Sequence, residues 1–157
     1  MPVVYRNAEV AEAEAILEFW ARAAEDADRP PDSPDAIRRL IHRDPTALIL
    51  AIHTAVPTPS EDVQAGSGEG AGGTIVGSII AGWDGWRCHL YRLAVDPAHR
   101  RQGIGRELIT RAEALLKSYG GTRADAMVHD ANTQAHPSWR TAGYTPQPTW
   151  SRWTHPL

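Results

Sequence analysis

This chain of 157 residues has one cysteine, one phenylalanine and two methionines. The single thiol, Cys88, excludes an intrachain disulfide and any cysteine-based zinc framework, and no metal site is expected. No apolar run approaches the roughly 18 residues that a membrane span requires. The opening residues, MPVVYRNAEV, show no basic region followed by an apolar one. A soluble, cytoplasmic protein with no membrane partner is therefore the expectation. Charge of one sign is also scarce: a net charge of −3 gives no global basic field for nucleic acid. That mildly acidic balance is compatible with a cationic amine as substrate.

What is present is enough for one hydrophobic core, with 42% hydrophobic residues in a chain of single-domain length. Val3 to Arg6 reads as a first strand. Ala11, Ala15, Ile16, Phe19, Trp20 and Ala23 recur at helical spacing and predict a helix over about 8–25. The run DADRPPDSP, residues 26–34, is a loop because its prolines cannot continue a helix. Ser33 or Asp35 then caps a short helix containing Ile37, Leu40 and Ile41. Strands are expected over 46–54, 74–81 and 88–95. Between the first two of these, residues 55–73 are rich in Gly, Pro and Ser without periodicity, which predicts a flexible hairpin insertion. A helix follows over 103–119, with Ile104, Leu108, Ile109, Ala112, Leu115 and Leu116 on one stripe and Gly120-Gly121 at its end. A strand over 122–129, a helix over 132–141 and a C-terminal strand or hairpin holding Trp150 and Trp153 complete the order β-α-α-β-β-β-α-β-α-β. The fold class is α/β: a mixed, mostly antiparallel central sheet flanked by helices, in a single domain over 1–157.

The most specific stretch is LYRLAVDPAHRRQGIGRELI, residues 90–109. A strand runs through a Pro-bearing turn into an Arg/Gly-rich loop that opens onto a helix. Helix starts present bare N–H groups to anions. Gly103 and Gly105 permit close approach and positive φ, while Arg100, Arg101 and Arg106 offset phosphate charge. The stretch has neither the G-x-x-x-x-G-K-[ST] pattern nor the third glycine of a dinucleotide fingerprint. Three arginines around one loop are also too few and too local for a nucleic-acid surface.

The spacing Arg100-x-x-Gly103-x-Gly105 after LAVDP resembles the pyrophosphate signature of the GNAT superfamily of N-acetyltransferases. The resemblance in element order covers about residues 3–145, and its motifs lie in 90–109 and 132–144. It implies the acyl-CoA N-acyltransferase fold and acetyl-CoA (coenzyme A) as cofactor. Backbone groups of Leu93, Ala94 and Val95 would pair with the pantetheine arm, beside a bulge that frees them. Arg100, Arg101, Gln102, Gly103, Ile104, Gly105 and Arg106 would hold the diphosphate. The second motif, N-x-x-A-x-x-x-W-x-x-x-G-Y, aligns Asn132 with an asparagine that contacts pantetheine, although Asn also serves as an ordinary helix cap. Trp139 stands where many members place a tyrosine that protonates the departing thiolate, and an indole N–H cannot supply that proton. Either water or another residue then re-protonates the thiolate, or none is needed, because a thiolate with a pKa of about 8.5 is a good leaving group. Trp139 is either a cofactor contact or a packing aromatic of the last helix.

Acetyl transfer to an amine needs a proton acceptor. His89 lies six residues before Val95, where histone-acetylating relatives place a Glu base, and it has a suitable unperturbed pKa. Strand alternation puts His89, Tyr91 and Leu93 on one face, unless a bulge intervenes, and Cys88 on the other. His129 and Asp130 are competing bases. The resemblance places the acceptor between the segment joining the first two helices and the later strand loops; that segment carries Glu25, Asp26, Asp28, Asp32 and Asp35, carboxylates that either attract an ammonium group or are simply solvated. The six tryptophans divide between core and a wall for the acceptor. These features predict an N-acetyltransferase working by direct transfer in a ternary complex on a small-molecule or protein amine. A non-catalytic acyl-CoA-binding or sensor module is the alternative, and a homodimer is compatible with either.

Overall fold

The computed structural model describes residues 2–24, 29–54 and 73–157. The described chain forms two compact units, Met1–Met127 and Val128–Leu157. The hairpin insertion expected at about 55–73 lies, but for Gly73, outside the described residues, as do Glu25, Asp26 and Asp28.

The first unit is a five-stranded sheet in the order β1-β2-β3-β4-β5. Its strands are β1 (Val3–Asn7), β2 (Leu48–His53), β3 (Thr74–Trp83), β4 (Cys88–Val95) and β5 (Ala124–Ala126). The first four pair antiparallel in sequence order, and β5 joins β4 in parallel. This is the mixed, mostly antiparallel sheet that the pattern predicts. The first helix is shorter than expected: a 3-10 turn, Val10–Glu12, leads into α1 (Ala13–Ala23). Glu12, the last residue of that turn, closes a box with Glu9 and accepts two hydrogen bonds of 2.8 and 2.6 Å from Arg6. In α2 (Pro34–Arg43) the Ser33 side chain accepts the Ala36 N–H, and Pro34 sits in the first turn where no donor is missed.

The sheet has two buried faces. On one, α1 and α2 lay Ile16, Phe19, Trp20, Ile37 and Ile41 against Leu48, Leu50, Ile52, Ile75 and Ala94. The other receives α3 (Ile104–Ser118), whose stripe Ile104, Leu108, Ile109, Ala112 and Leu116 is buried. There, Gly77 is so close to Ile104, Leu108 and Ala51 that any side chain would crowd them. Gly120, at φ +92°, ends α3, and the Gly121 N–H reaches back to the Leu116 carbonyl at 2.9 Å.

The second unit contains α4 (His136–Thr141) and no strand among its described residues. The expected C-terminal strand is thus absent: Pro146 and Pro148 remove alternate donors, and Trp150 and Trp153 stand 77% and 93% exposed. The strand expected over 122–129 is also cut to Ala124–Ala126. No helix among the described residues is long and apolar enough to cross a membrane.

Candidate functional site

The central strand β4 has two unlike halves. Cys88, His89 and Leu90 pair with Ala124, Asp125 and Ala126 of β5. Beyond Leu90 no described strand pairs with β4 on that side, which leaves Leu93 to Val95 at an edge of the described sheet. On its other side, β4 follows β3 with one irregularity. Ile80 faces Tyr91 and Ser78 faces Ala94, so the two residues Arg92 and Leu93 stand opposite Ile79 alone. Arg92 takes up the extra residue at φ +49°.

This bulge corrects one expectation. His89 and Tyr91 lie across from Gly82 and Ile80, and Ala94 across from Ser78, all on the α1/α2 face. Val95 faces Gly77 on the α3 face, and alternation puts Leu93 there too. Leu93 therefore does not share a face with His89, because the extra residue inverts the pleat between them. The bulge itself begins at Arg92, one residue before the stretch in which the resemblance set it. Cys88 is buried on the side opposite His89, as the alternation predicts.

From Val95 the open edge runs directly into the loop. Asp96 caps the turn Pro97–His99 by accepting the Ala98 N–H at 2.9 Å, and Arg100 Nε folds back onto the Val95 carbonyl at 3.2 Å. Burial alone would raise the Asp96 carboxyl, but the Ala98 N–H, with His99 and Arg22, holds it below the usual value. Arg101 and Gly103 both adopt left-handed backbone, φ +60° and +82°, and α3 starts at Ile104. Left-handed residues ahead of a helix start turn successive N–H groups into one concavity, where the first amides of the helix have no partner within it. A Cβ added at Gly103 would meet nothing within 4 Å, so the space above this loop is open. The structure thus brings Leu93, Ala94, Val95 and residues 100–106 into one continuous track.

Other predicted residues are arranged differently. His89 is half-buried, with its ring 6.0 Å from that of Tyr91. Asp84 is held low by the N–H groups of Arg87 and Trp86, against some desolvation, with a smaller contribution from His89. In the second unit, Asn132 does not cap α4. Its N–H donates to the His129 carbonyl at 2.9 Å within a turn, and Ala135 is the residue that precedes the helix. His129 Nδ1 accepts the Ala131 N–H at 3.1 Å, which commits that nitrogen to the same turn. Trp139 is the buried residue of α4 and meets Tyr144 edge-on, with ring centres 5.0 Å apart. Among the described residues, no group of three or more His, Cys, Asp or Glu side chains is gathered as a metal site.

A feature that motif reasoning passed over lies on the α1/α2 face. Trp20 Nε1–H donates to Ser78 Oγ at 2.9 Å, and the Ser78 hydroxyl donates to the Arg92 carbonyl at 2.9 Å. The Arg92 guanidinium stands 5.0 Å from the Trp20 ring centre and pairs with Asp32. Trp20, Asp32 and Arg92 border a cavity of about 270 Å³ that Leu17 and Arg29 also help to line. The only signal in the sequence was a charged residue inside the apolar run LYRLAV.

The sequence matches the acetyltransferase (GNAT) family over residues 14–144. An acetyltransferase of Pectobacterium atrosepticum is 32% identical over 120 residues, 76% of this chain and 71% of that protein. One from Yersinia pestis is 29% identical over 137 residues, 87% of this chain and 83% of its relative. Among solved structures, the PaiA N-acetyltransferase of Thermoplasma acidophilum, in complex with coenzyme A, superposes with a TM-score of 0.70. That match covers 95% of this chain and 93% of the other at 17% identity, a likeness of fold. Family match, strand order and the loop between β4 and α3 agree, and this chain belongs to the GNAT family of acetyltransferases.

Proposed function

We propose that this protein is an acetyl-CoA-dependent N-acetyltransferase that acts by direct transfer to a primary amine in a ternary complex. The observation that carries the reading is the continuous track from the open edge of β4 to the start of α3. Backbone groups of Leu93, Ala94 and Val95 suit the amides of a pantetheine arm laid along the strand. The N–H groups of residues 101–106 suit a diphosphate, with Arg100, Arg101 and Arg106 supplying charge. Acetyl-CoA held there would supply an acetyl thioester, whose transfer would form the C–N bond, break the C–S bond and release coenzyme A as a thiolate. His89 takes the proton of the amine, as a group on the same strand before the open edge. Trp139 donates no proton. The family match spans both compact units, which supports reading 1–157 as one domain.

The test is thiol release from acetyl-CoA, corrected for hydrolysis, against a broad amine panel, with intact-mass detection of acetylated product. Turnover on one acceptor class supports transfer and gives the substrate on which His89→Ala is assayed. Acetyl-CoA binding by calorimetry without turnover on any amine points to the sensor alternative. No binding at all removes the cofactor assignment.

A further inference from the structure

Resting on that reading, and on the cavity beside Arg92 lying where the resemblance sets the acceptor, we propose that Arg92 selects small amines that carry a carboxylate. The first ground is backbone strain. Arg92 occupies the bulge at φ +49°, a conformation that glycine adopts freely and a residue with a Cβ does not. The extra residue of the bulge therefore asks for glycine, and what stands there is an arginine that helps to line the cavity.

The second ground is charge. The Arg92 side chain is only 6% exposed, and its partner Asp32 is 28% exposed. A planar guanidinium binds carboxylates as a fork, and it does so best away from water. An incoming carboxylate takes the place that Asp32 holds on this fork, with its stem against Trp20 and Leu17.

Size and position complete the argument. A cavity of about 270 Å³ is at the small end of ligand sites, suited to an amino acid and not to a folded-protein surface. Arg92 immediately precedes Leu93, where the cofactor track begins. A ligand anchored by its carboxylate on Arg92 is thus held next to the place where the thioester is offered.

The experiment compares α-amino acids with their α-carboxamides, matched pairs that differ in charge and hardly in shape. Both kcat/KM and binding to the acetyl-CoA-loaded, full-length protein are measured. The carboxylates are expected to exceed the amides by about 30-fold, the worth of a charge-assisted pair. Arg92→Gly keeps the bulge backbone; its carboxylate preference should fall to about threefold or less while the acetyl-CoA Kd stays within about twofold. Arg92→Lys, which keeps the charge without the fork, should fall between the two and serves if the glycine variant does not fold. Wild-type protein that binds and acetylates amides as well as acids overturns the proposal, and so does a preference that survives in Arg92→Gly. Absence of carboxylate binding to the loaded protein also overturns it. Failure of acetyl-CoA itself to bind instead brings down the acetyltransferase reading, and this proposal with it.

Discussion

The two faces of the sheet are built on different principles. Under α3 both surfaces are apolar and buried: Ile49, Ala51, Ile79 and Leu90 on the sheet, and Ile104, Leu108, Ala112 and Leu116 on the helix. Under α1 and α2 an equally buried face carries a polar chain, Trp20 to Ser78 to Arg92, ending in the ion pair with Asp32. Apolar contact is non-directional and yields stability in proportion to area. Buried hydrogen bonds and ion pairs add little net stability but fail badly when half-removed, so they hold one geometry. The first face anchors the sheet, and the second shapes a cavity beside the cofactor track.

Substitutions can break that contrast. Leu108→Ala, at a fully buried position, is expected to lower unfolding free energy by about 3–4 kcal/mol in urea titrations. Asp32→Ala leaves a buried guanidinium without its carboxylate. Because Asp32 is partly exposed, its cost should be nearer to about 2–3 kcal/mol, and Asp32→Ala combined with Arg92→Met should recover part of it. A double-variant protein no more stable than Asp32→Ala would argue against an electrostatic origin. Ser78→Ala removes both the acceptor for Trp20 and the donor to the Arg92 carbonyl, for about 1–2 kcal/mol. Its fluorescence should also report a Trp20 indole that has lost its partner.

The smallest effect concerns pH. Asp96 sits below its ordinary value, so its stabilising contribution is complete above the unfolded carboxyl pKa of about 3.9 and fades as pH falls through the folded value. Asp96→Asn should therefore lose stability at neutral pH and match the wild type in strong acid. Equal differences at both extremes would show that the carboxylate charge contributes nothing there.

Much of this was legible in the sequence, for local reasons. The stripe of α3 follows a period of 3.6, and the Gly/Arg loop needs only a few adjacent residues to declare its chemistry. The bulge in β4 was not legible. Burial still alternates along Cys88–Val95, because Tyr91 is exposed where Arg92 is buried, and the inversion shows only in the pairing with β3. The Arg92–Asp32 pair joins positions far apart in the chain, and the sequence offered Asp32 only as one of several carboxylates between the first two helices. At the C-terminus, aromatic content suggested a strand, but proline spacing outweighed it. Asn132 looked like a helix cap because its turn, tied by His129, sits just ahead of α4.

Cys88, the one thiol of the chain, is 2% exposed in β4. The turn after α3 closes on it at Gly121, where any side chain would strike its Sγ. A thiol reagent reaches this sulfur only when that part of the sheet opens, so labelling kinetics under native conditions measure the opening rather than the chemistry. The chain thus carries a single-site clock for separation of β4 from β5, readable without any engineered probe, and a ligand seated along β4 should slow it.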